Sequence, residues 1–193
     1  MTTERHLLFL VASTREPGIE GNTEALARAA AAGLPADTRQ TWRHLHGLSM
    51  PPFQDHRHDR GTYPMPDAAV PAERDLRGLL DDTLAATDLV FVAPVYWYSL
   101  PAELKLYLDH WSAFLRVPGL DFKARMAAKR FWLVTTSGNR PKAQPMIDSL
   151  RLCAEFCGAA WGGELWGQGG EPGKVRTDAA ALAAAPGFLR LPG

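Results

Sequence analysis

The residues of this chain that could do chemistry fall in three loops, each placed directly after an apolar run. The first loop, from Ser13-Thr14-Arg15 to Gly21-Asn22-Thr23, offers hydroxyls, an amide and one guanidinium. An alanine-rich helical pattern follows it, so free helix N–H groups join that set of donors. Such a set suits one dianionic monophosphate, held by charge-assisted hydrogen bonds at a helix N-terminus. The spacing lacks the Gly-x-Gly-x-x-Gly of a dinucleotide cradle and the Gly-Lys-Ser/Thr of a P-loop. A plain capped helix after a strand fits the same residues equally well, and the loop alone does not separate the two.

The second loop, Pro94-Val95-Tyr96-Trp97-Tyr98-Ser99-Leu100-Pro101, ends the continuous apolar run Leu89 to Ala93. Such a run reads as a strand buried on both faces. Three consecutive aromatics at its carboxyl end are costly to leave without packing, so the loop is expected to lie against something flat. In open α/β sheets, ligands bind outside the carboxyl ends of the strands. The third loop, Thr136-Ser137-Gly138-Asn139, follows the run Arg130 to Thr135. Its glycine, having no Cβ, lets backbone N–H groups approach a planar ring. An ordinary strand–helix turn would look the same.

Other reactive side chains point less clearly to a site. His44, His46, His56 and His58, with Asp55 and Asp59, invite a metal, yet no recognised zinc spacing is present and none is expected. Cys153 and Cys157, one helical turn apart, read as small packing residues, and so few cysteines fit a reducing cytoplasm. The balance of 21 basic and 21 acidic residues argues against a nucleic-acid surface. No stretch approaches the ~18 apolar residues of a membrane span, and the first residues lack the layout of a signal peptide.

The elements that must position these loops follow from periodicity. Leu7 to Ala12 reads as a first strand, Glu24 to Leu34 as a helix capped by Asn22 or Thr23 and stopped near Gly33, and Thr38 to Leu45 as a second strand. From residue 46 to 70 periodicity vanishes, and this long excursion is read as either a cover over a site or a subunit contact. Glu73 to Ala86 is an amphipathic helix leading into a third strand, Asp88 to Ala93. A helix with Leu104, Tyr107, Leu108, Trp111 and Leu115 on its stripe begins near Pro101, and Trp111 and Phe114 suggest a subunit contact as well as core packing. Arg116 to Ala128 reads as a connector. A fourth strand at Arg130 to Thr135, a helix from Lys142 to Phe156, an irregular edge strand from Ala159 to Gly167 and a short helix from Thr177 to Ala185 complete one domain over residues 1–193.

Strands alternating with helices imply a doubly wound parallel sheet with helices on both faces. The monophosphate loop after the first strand favours the flavodoxin-like 2-1-3-4-5 order, whose switch point lies between the first and third strands.

At this point the residues carry a resemblance. Ser13-Thr14-Arg15, Gly21-Asn22-Thr23-Glu24 and Pro94 to Lys105 resemble the NADPH-dependent FMN reductase and flavodoxin-like NAD(P)H:quinone oxidoreductase family. The resemblance implies an enzyme that binds FMN non-covalently, is reduced by NADPH or NADH, and passes electrons to a small-molecule acceptor such as a quinone or another flavin. It implies that Ser13, Arg15, Asn22 and Thr23 hold the phosphate. Pro94, Val95, Tyr96, Trp97, Tyr98 and Ser99 would contact the ring and ribityl chain, and Thr136, Ser137 and Gly138 the far side of the ring. Catalysis then needs no side-chain acid or nucleophile, because the cofactor carries the chemistry. Many members are homodimers or homotetramers. The cysteine cluster of the iron–sulfur members is missing here, so no such cluster is expected. A flavodoxin-type electron carrier and a flavin-free scaffold of the same fold are the alternatives, and the neutral charge counts against the carrier.

Overall fold

The computed structural model describes residues 4–16 and 18–191. Met1-Thr2-Thr3, Pro17 of the first loop, and Pro192-Gly193 of the Pro- and Gly-rich tail lie outside the described residues. Five parallel strands form one sheet: β1 (His6–Val11), β2 (Arg39–His44), β3 (Asp88–Val92), β4 (Arg130–Ser137) and β5 (Ala160–Gln168), in the order β2-β1-β3-β4-β5. This is the expected 2-1-3-4-5 arrangement. The helices are α1 (Asn22–Ala31), α2 (Arg74–Ala85), α3 (Ala102–Phe114), α4 (Phe122–Ala127), α5 (Arg140–Cys157) and α6 (Ala179–Phe188), with a 3-10 turn at Lys174–Thr177.

Side chains that alternate along the central strands divide the core in two. Leu7, Phe9, Val11, Val90 and Val92 point to the face covered by α1 and α6. Leu8, Leu10, Leu89 and Phe91 point to the face covered by α2, α3, α4 and α5. Both faces of the inner strands are therefore dry, which is why their sequences read as unbroken apolar runs. The edge strand β2 keeps its polar sequence because only Trp42 is strongly held. Trp42 stacks on Phe9 with centroids 4.0 Å apart, and the Arg28 guanidinium lies 3.6 Å over its ring.

The structure departs from the periodicity at particular places. Gly21, not Asn22 or Thr23, is the N-cap of α1, so the latter two lie inside its first turn. Gly33 does more than stop α1: a Cβ there would lie 2.0 Å from the Pro186 carbonyl oxygen, so α6 packs directly on it. The stretch expected as a connector contains α4, which buries Phe122 and Met126 one turn apart. Its six residues are too short to announce a helical period. The irregularity expected of β5 is a register shift opposite Phe131 and Trp132, where the Trp132 ring occupies the space of a Gly162 Cβ. Trp111 and Phe114, expected in core packing as well as at a subunit contact, are buried in the core, each packed edge-on against Phe122.

The long excursion is anchored to α2 and α3. The His110 imidazole on α3 lies 2.8 Å from the Pro51 carbonyl oxygen through Nε2, and the Ser49 N–H donates to Asp75 on α2. Tyr63 is buried, its N–H donates to the Arg116 carbonyl and its hydroxyl accepts from the His56 N–H. Burial holds the His110 pKa below its usual value, which favours the neutral ring.

Candidate functional site

All three loops emerge at the carboxyl ends of β1, β3 and β4, on adjacent strands. They are tied together by ladder bonds that continue past the strands. Ala12 donates to the Val92 carbonyl, Ala93 to Val134, and Val95 to Thr136. Above this base, the Thr14 hydroxyl on the first loop meets the Tyr96 hydroxyl on the second at 2.9 Å. The first and third loops meet through Thr23 and Thr136, whose buried hydroxyls are 2.5 Å apart.

The first loop ends at an α1 N-terminus that no side chain caps. The N–H groups of the first turn therefore remain available to a ligand. Arg15 lies across this end of the helix: a Cβ on Gly21 would stand 3.3 Å from its Cδ and 3.4 Å from its Nε and from the Ser13 hydroxyl. The glycine lets the guanidinium lie close over the turn, in space that a side chain would crowd. An uncapped helix end beside an arginine and the Ser13 hydroxyl is a fitting cradle for a phosphate.

Asn22 and Thr23 are placed differently from the expectation that their side chains reach the phosphate. The Asn22 amide donates to the Glu171 carbonyl at 2.9 Å and its oxygen accepts from the Val175 N–H at 3.3 Å. Thr23 is tied to Thr136. Both side chains brace the helix end from behind, leaving their backbone N–H groups to face the loop. Ser137 is engaged in the same way, donating to the Asn139 carbonyl and accepting from the Trp166 indole N–H at 2.8 Å.

The aromatic loop is a tight turn. Tyr96 and Ser99 exchange both backbone hydrogen bonds, at 3.1 and 2.9 Å, and the two residues between them have positive φ, 49° at Trp97 and 64° at Tyr98. Such turns ordinarily carry Asn-Gly. Two bulky residues in the left-handed region cost roughly 1–3 kcal/mol each, and strain of this kind concentrates at functional sites. Trp97 is 93% exposed at the tip, while Pro94 and Val95 at the base are half-buried.

Three features were not singled out from sequence. Glu24, buried in the first turn of α1, accepts from Arg28 at 2.9 Å and contacts the His44 imidazole at 3.1 Å, so its charge is neutralised near the phosphate cradle. The i, i+4 spacing of Glu24 and Arg28 was the available signal. The Lys142 ammonium lies 3.9 Å from where a Gly138 Cβ would stand, bringing a cation to the third loop. The Glu171–Val175 brace on Asn22 had no signal at such separation. His46 pairs with Glu103 at the start of α3, and among the described residues no three His, Cys, Asp or Glu side chains converge to hold a metal. Among the described residues, no helix is long and apolar enough to cross a membrane.

Comparison with known proteins agrees with this fold. The family model described as flavodoxin-like fold matches residues 5–185. A Bacillus subtilis protein provisionally named NAD(P)H-dependent FMN-containing oxidoreductase is 31% identical over 175 residues, covering 88% of this chain and 90% of that protein. The solved Trp repressor binding protein from Bacillus subtilis superposes with a TM-score of 0.71 at 25% identity, covering 97% of this chain and 99% of that one. An FMN-dependent NADH-azoreductase from Bacillus anthracis, solved with FMN, shares the fold with a TM-score of 0.65 at 13% identity over 97% of this chain and all of its own.

Proposed function

The chain belongs to the flavodoxin-like fold family, and from that premise we propose that it is an FMN-dependent NAD(P)H oxidoreductase that delivers electrons to a quinone, a flavin or a similar small acceptor. The observation that carries this reading is the pairing of an uncapped α1 N-terminus under Arg15 with the aromatic turn across the Thr14–Tyr96 contact. One end fits a single phosphate and the other a planar ring, which together describe a flavin mononucleotide. The name carried by the 31% identical relative points the same way.

In this reading the phosphate is held by Arg15, Ser13 and the N–H groups of Asn22 and Thr23. Pro94, Val95, Tyr96 and Ser99 line one side of the ring, with Trp97 and Tyr98 at the rim. Thr136, Ser137 and Gly138 form the other side. FMN, when bound, supplies the acceptance of a hydride and the onward transfer of electrons. The chain supplies placement and electrostatics. Val95, Tyr96 and Ser99 spend their N–H groups inside the loop structure. Charge developing on the ring is therefore met from the Gly138 side, where Lys142 adds a positive field. The fixed turn holds the aromatic wall in place without a reorganisation cost.

We place the protein in the cytoplasm, where its two free cysteines would stay reduced, and read it as a homodimer or homotetramer. The test of function is direct. The purified protein should be yellow, or become so with FMN, and should bleach on anaerobic addition of NADPH or NADH. Failure to take up FMN sinks the proposal, and uptake without bleaching would favour an electron carrier.

A further inference from the structure

The long excursion between β2 and α2 borders a cavity that the flavin reading leaves unused. It encloses about 310 Å3 between the excursion, α2 and α3, at the lower end of the size range of small-molecule sites. Phe53, Tyr63, Leu76 and Phe114 supply apolar wall. The His110 ring stands edge-on to Phe53 with centroids 5.7 Å apart and stacks on Phe114 at 6.3 Å. A flat ring entering this space meets aromatic faces and edges, which favours an aromatic ligand.

The polar groups of the wall decide what that ring must carry. The Tyr63 hydroxyl is taken up by the His56 N–H and by the Gln54 and Asp55 oxygens, and the His56 Nε2 by the Gln54 side chain. His110 is only 6% exposed, and its Nε2 lies 2.8 Å from the Pro51 carbonyl oxygen. A carbonyl can only accept. The proton of the neutral ring, which burial favours, therefore sits on Nε2 and leaves a lone pair on Nδ1. Among the described residues no group donates to Nδ1. Nor is Nδ1 one of the side-chain atoms sealed from solvent without a partner, which are Trp111 Nε1 and Thr135 Oγ1. The lone pair thus opens on the cavity that the ring lines.

Glu73, half-buried in the same wall, is a second acceptor. It takes the Asp67 N–H at 2.9 Å, and its charge acts on the His110 ring. Arg60 is the cation of the wall, and its exposed position leaves its head in water. A ligand that displaces water from buried acceptors has to bring donors of its own.

We propose that this cavity binds a small phenol, with its ring against Phe53 and Phe114 and its hydroxyl donating to His110 Nδ1. Hydroquinones belong to this class, whereas the matching quinones carry acceptors alone and are refused. The site goes beyond the flavin reading and does not depend on it. Where the protein acts on quinones, the cavity tells product from acceptor.

NMR of the full chain as purified tests the proposal, with para-cresol as the probe. Its methyl ether, para-methylanisole, keeps the ring and lacks the O–H. Histidine-selective nitrogen spectra should show His110 as the Nε2–H tautomer, and its Nδ1 signal should move upfield as para-cresol is added. Para-cresol should bind at least about tenfold more tightly than the ether. His110→Phe keeps a ring in the wall and removes the lone pair, so the two affinities should converge. If that variant does not fold, the nitrogen titration of the unaltered protein decides alone. An Nδ1–H tautomer, no binding of para-cresol, equal binding of the two probes, or binding that leaves the His110 signal unmoved overturns the proposal.

Discussion

The hydroxyls of Thr23 and Thr136 meet at 2.5 Å in the buried space between α1 and β4. One residue lies in the first turn of the helix that ends the phosphate cradle. The other lies at the carboxyl end of the strand that carries the opposite wall of the site. The bond fixes the distance between two loops that come from positions far apart in the chain.

Replacing Thr136 by Val keeps the shape and removes one partner. The Thr23 hydroxyl is then buried without a partner, which should cost about 1–3 kcal/mol of stability. Denaturant unfolding of apoprotein measures this. Replacing both threonines by Val should cost less than the sum of the single changes, since no polar group is left stranded.

Arg15→Ala removes the guanidinium laid over the α1 N-terminus. FMN affinity should fall by about 1.5–3 kcal/mol, the range for a hydrogen bond to a charged group. Titration of apoprotein followed by flavin fluorescence reads it, and unchanged affinity would remove Arg15 from the phosphate cradle.

Gly21 has an ordinary φ of −90°, so a side chain there is not barred by the backbone. It would instead press on Arg15 and Ser13, both within 3.4 Å of the missing Cβ, and push the guanidinium off the turn. Gly21→Val should therefore fold normally yet bind FMN about tenfold more weakly, about 1.4 kcal/mol. Circular dichroism and the same titration separate the two effects.

Lys142 brings a cation beside Gly138. Lys142→Met should make the bound flavin harder to reduce, lowering its midpoint potential by about 10–40 mV, as expected for loss of roughly 1 kcal/mol of favourable charge interaction. Spectroelectrochemical titration gives the shift, and a rise or no change would remove Lys142 from the site's electrostatics.

Lys129 lies at the other end of the sheet, where its buried ammonium donates to the Ala86 and Leu84 carbonyls at the end of α2. Burial, and then the nearby Arg125 charge, push its pKa down from 10.5 to about 8. Between those values the unfolded chain holds a proton that the folded chain has released. This residue's contribution to stability is therefore fully present above pH 10.5 and is lost as pH falls through 8. Relative to Lys129→Met, the unaltered protein should gain about 2–3 kcal/mol between pH 8 and 10.5. Parallel unfolding curves across that range check the slope.

Much of the architecture was legible in the sequence alone. The buried strands announce themselves as apolar runs because both of their faces are covered, and the helices between them keep a clear stripe. Strand alternation and a first loop suited to one phosphate were enough to order the sheet. Gly21 and Arg15 were visible as residue types.

What the sequence could not carry was direction. Whether Asn22 faces a ligand or a carbonyl on the segment after β5 depends on a partner in a distant part of the chain, and only packing of α1 against that segment turned it inward. The same holds for Ser137, captured by Trp166, and for Thr23, captured by Thr136. Trp111 and Phe114 were drawn into the core by Phe122 on a helix too short to show a period, and Leu115, Leu152 and Phe156 were left outside. Local spacing determines which side chains share a face, because that depends on backbone geometry alone. Which face meets solvent, core or ligand is set by contacts between residues distant in sequence, and only the tertiary structure decides those.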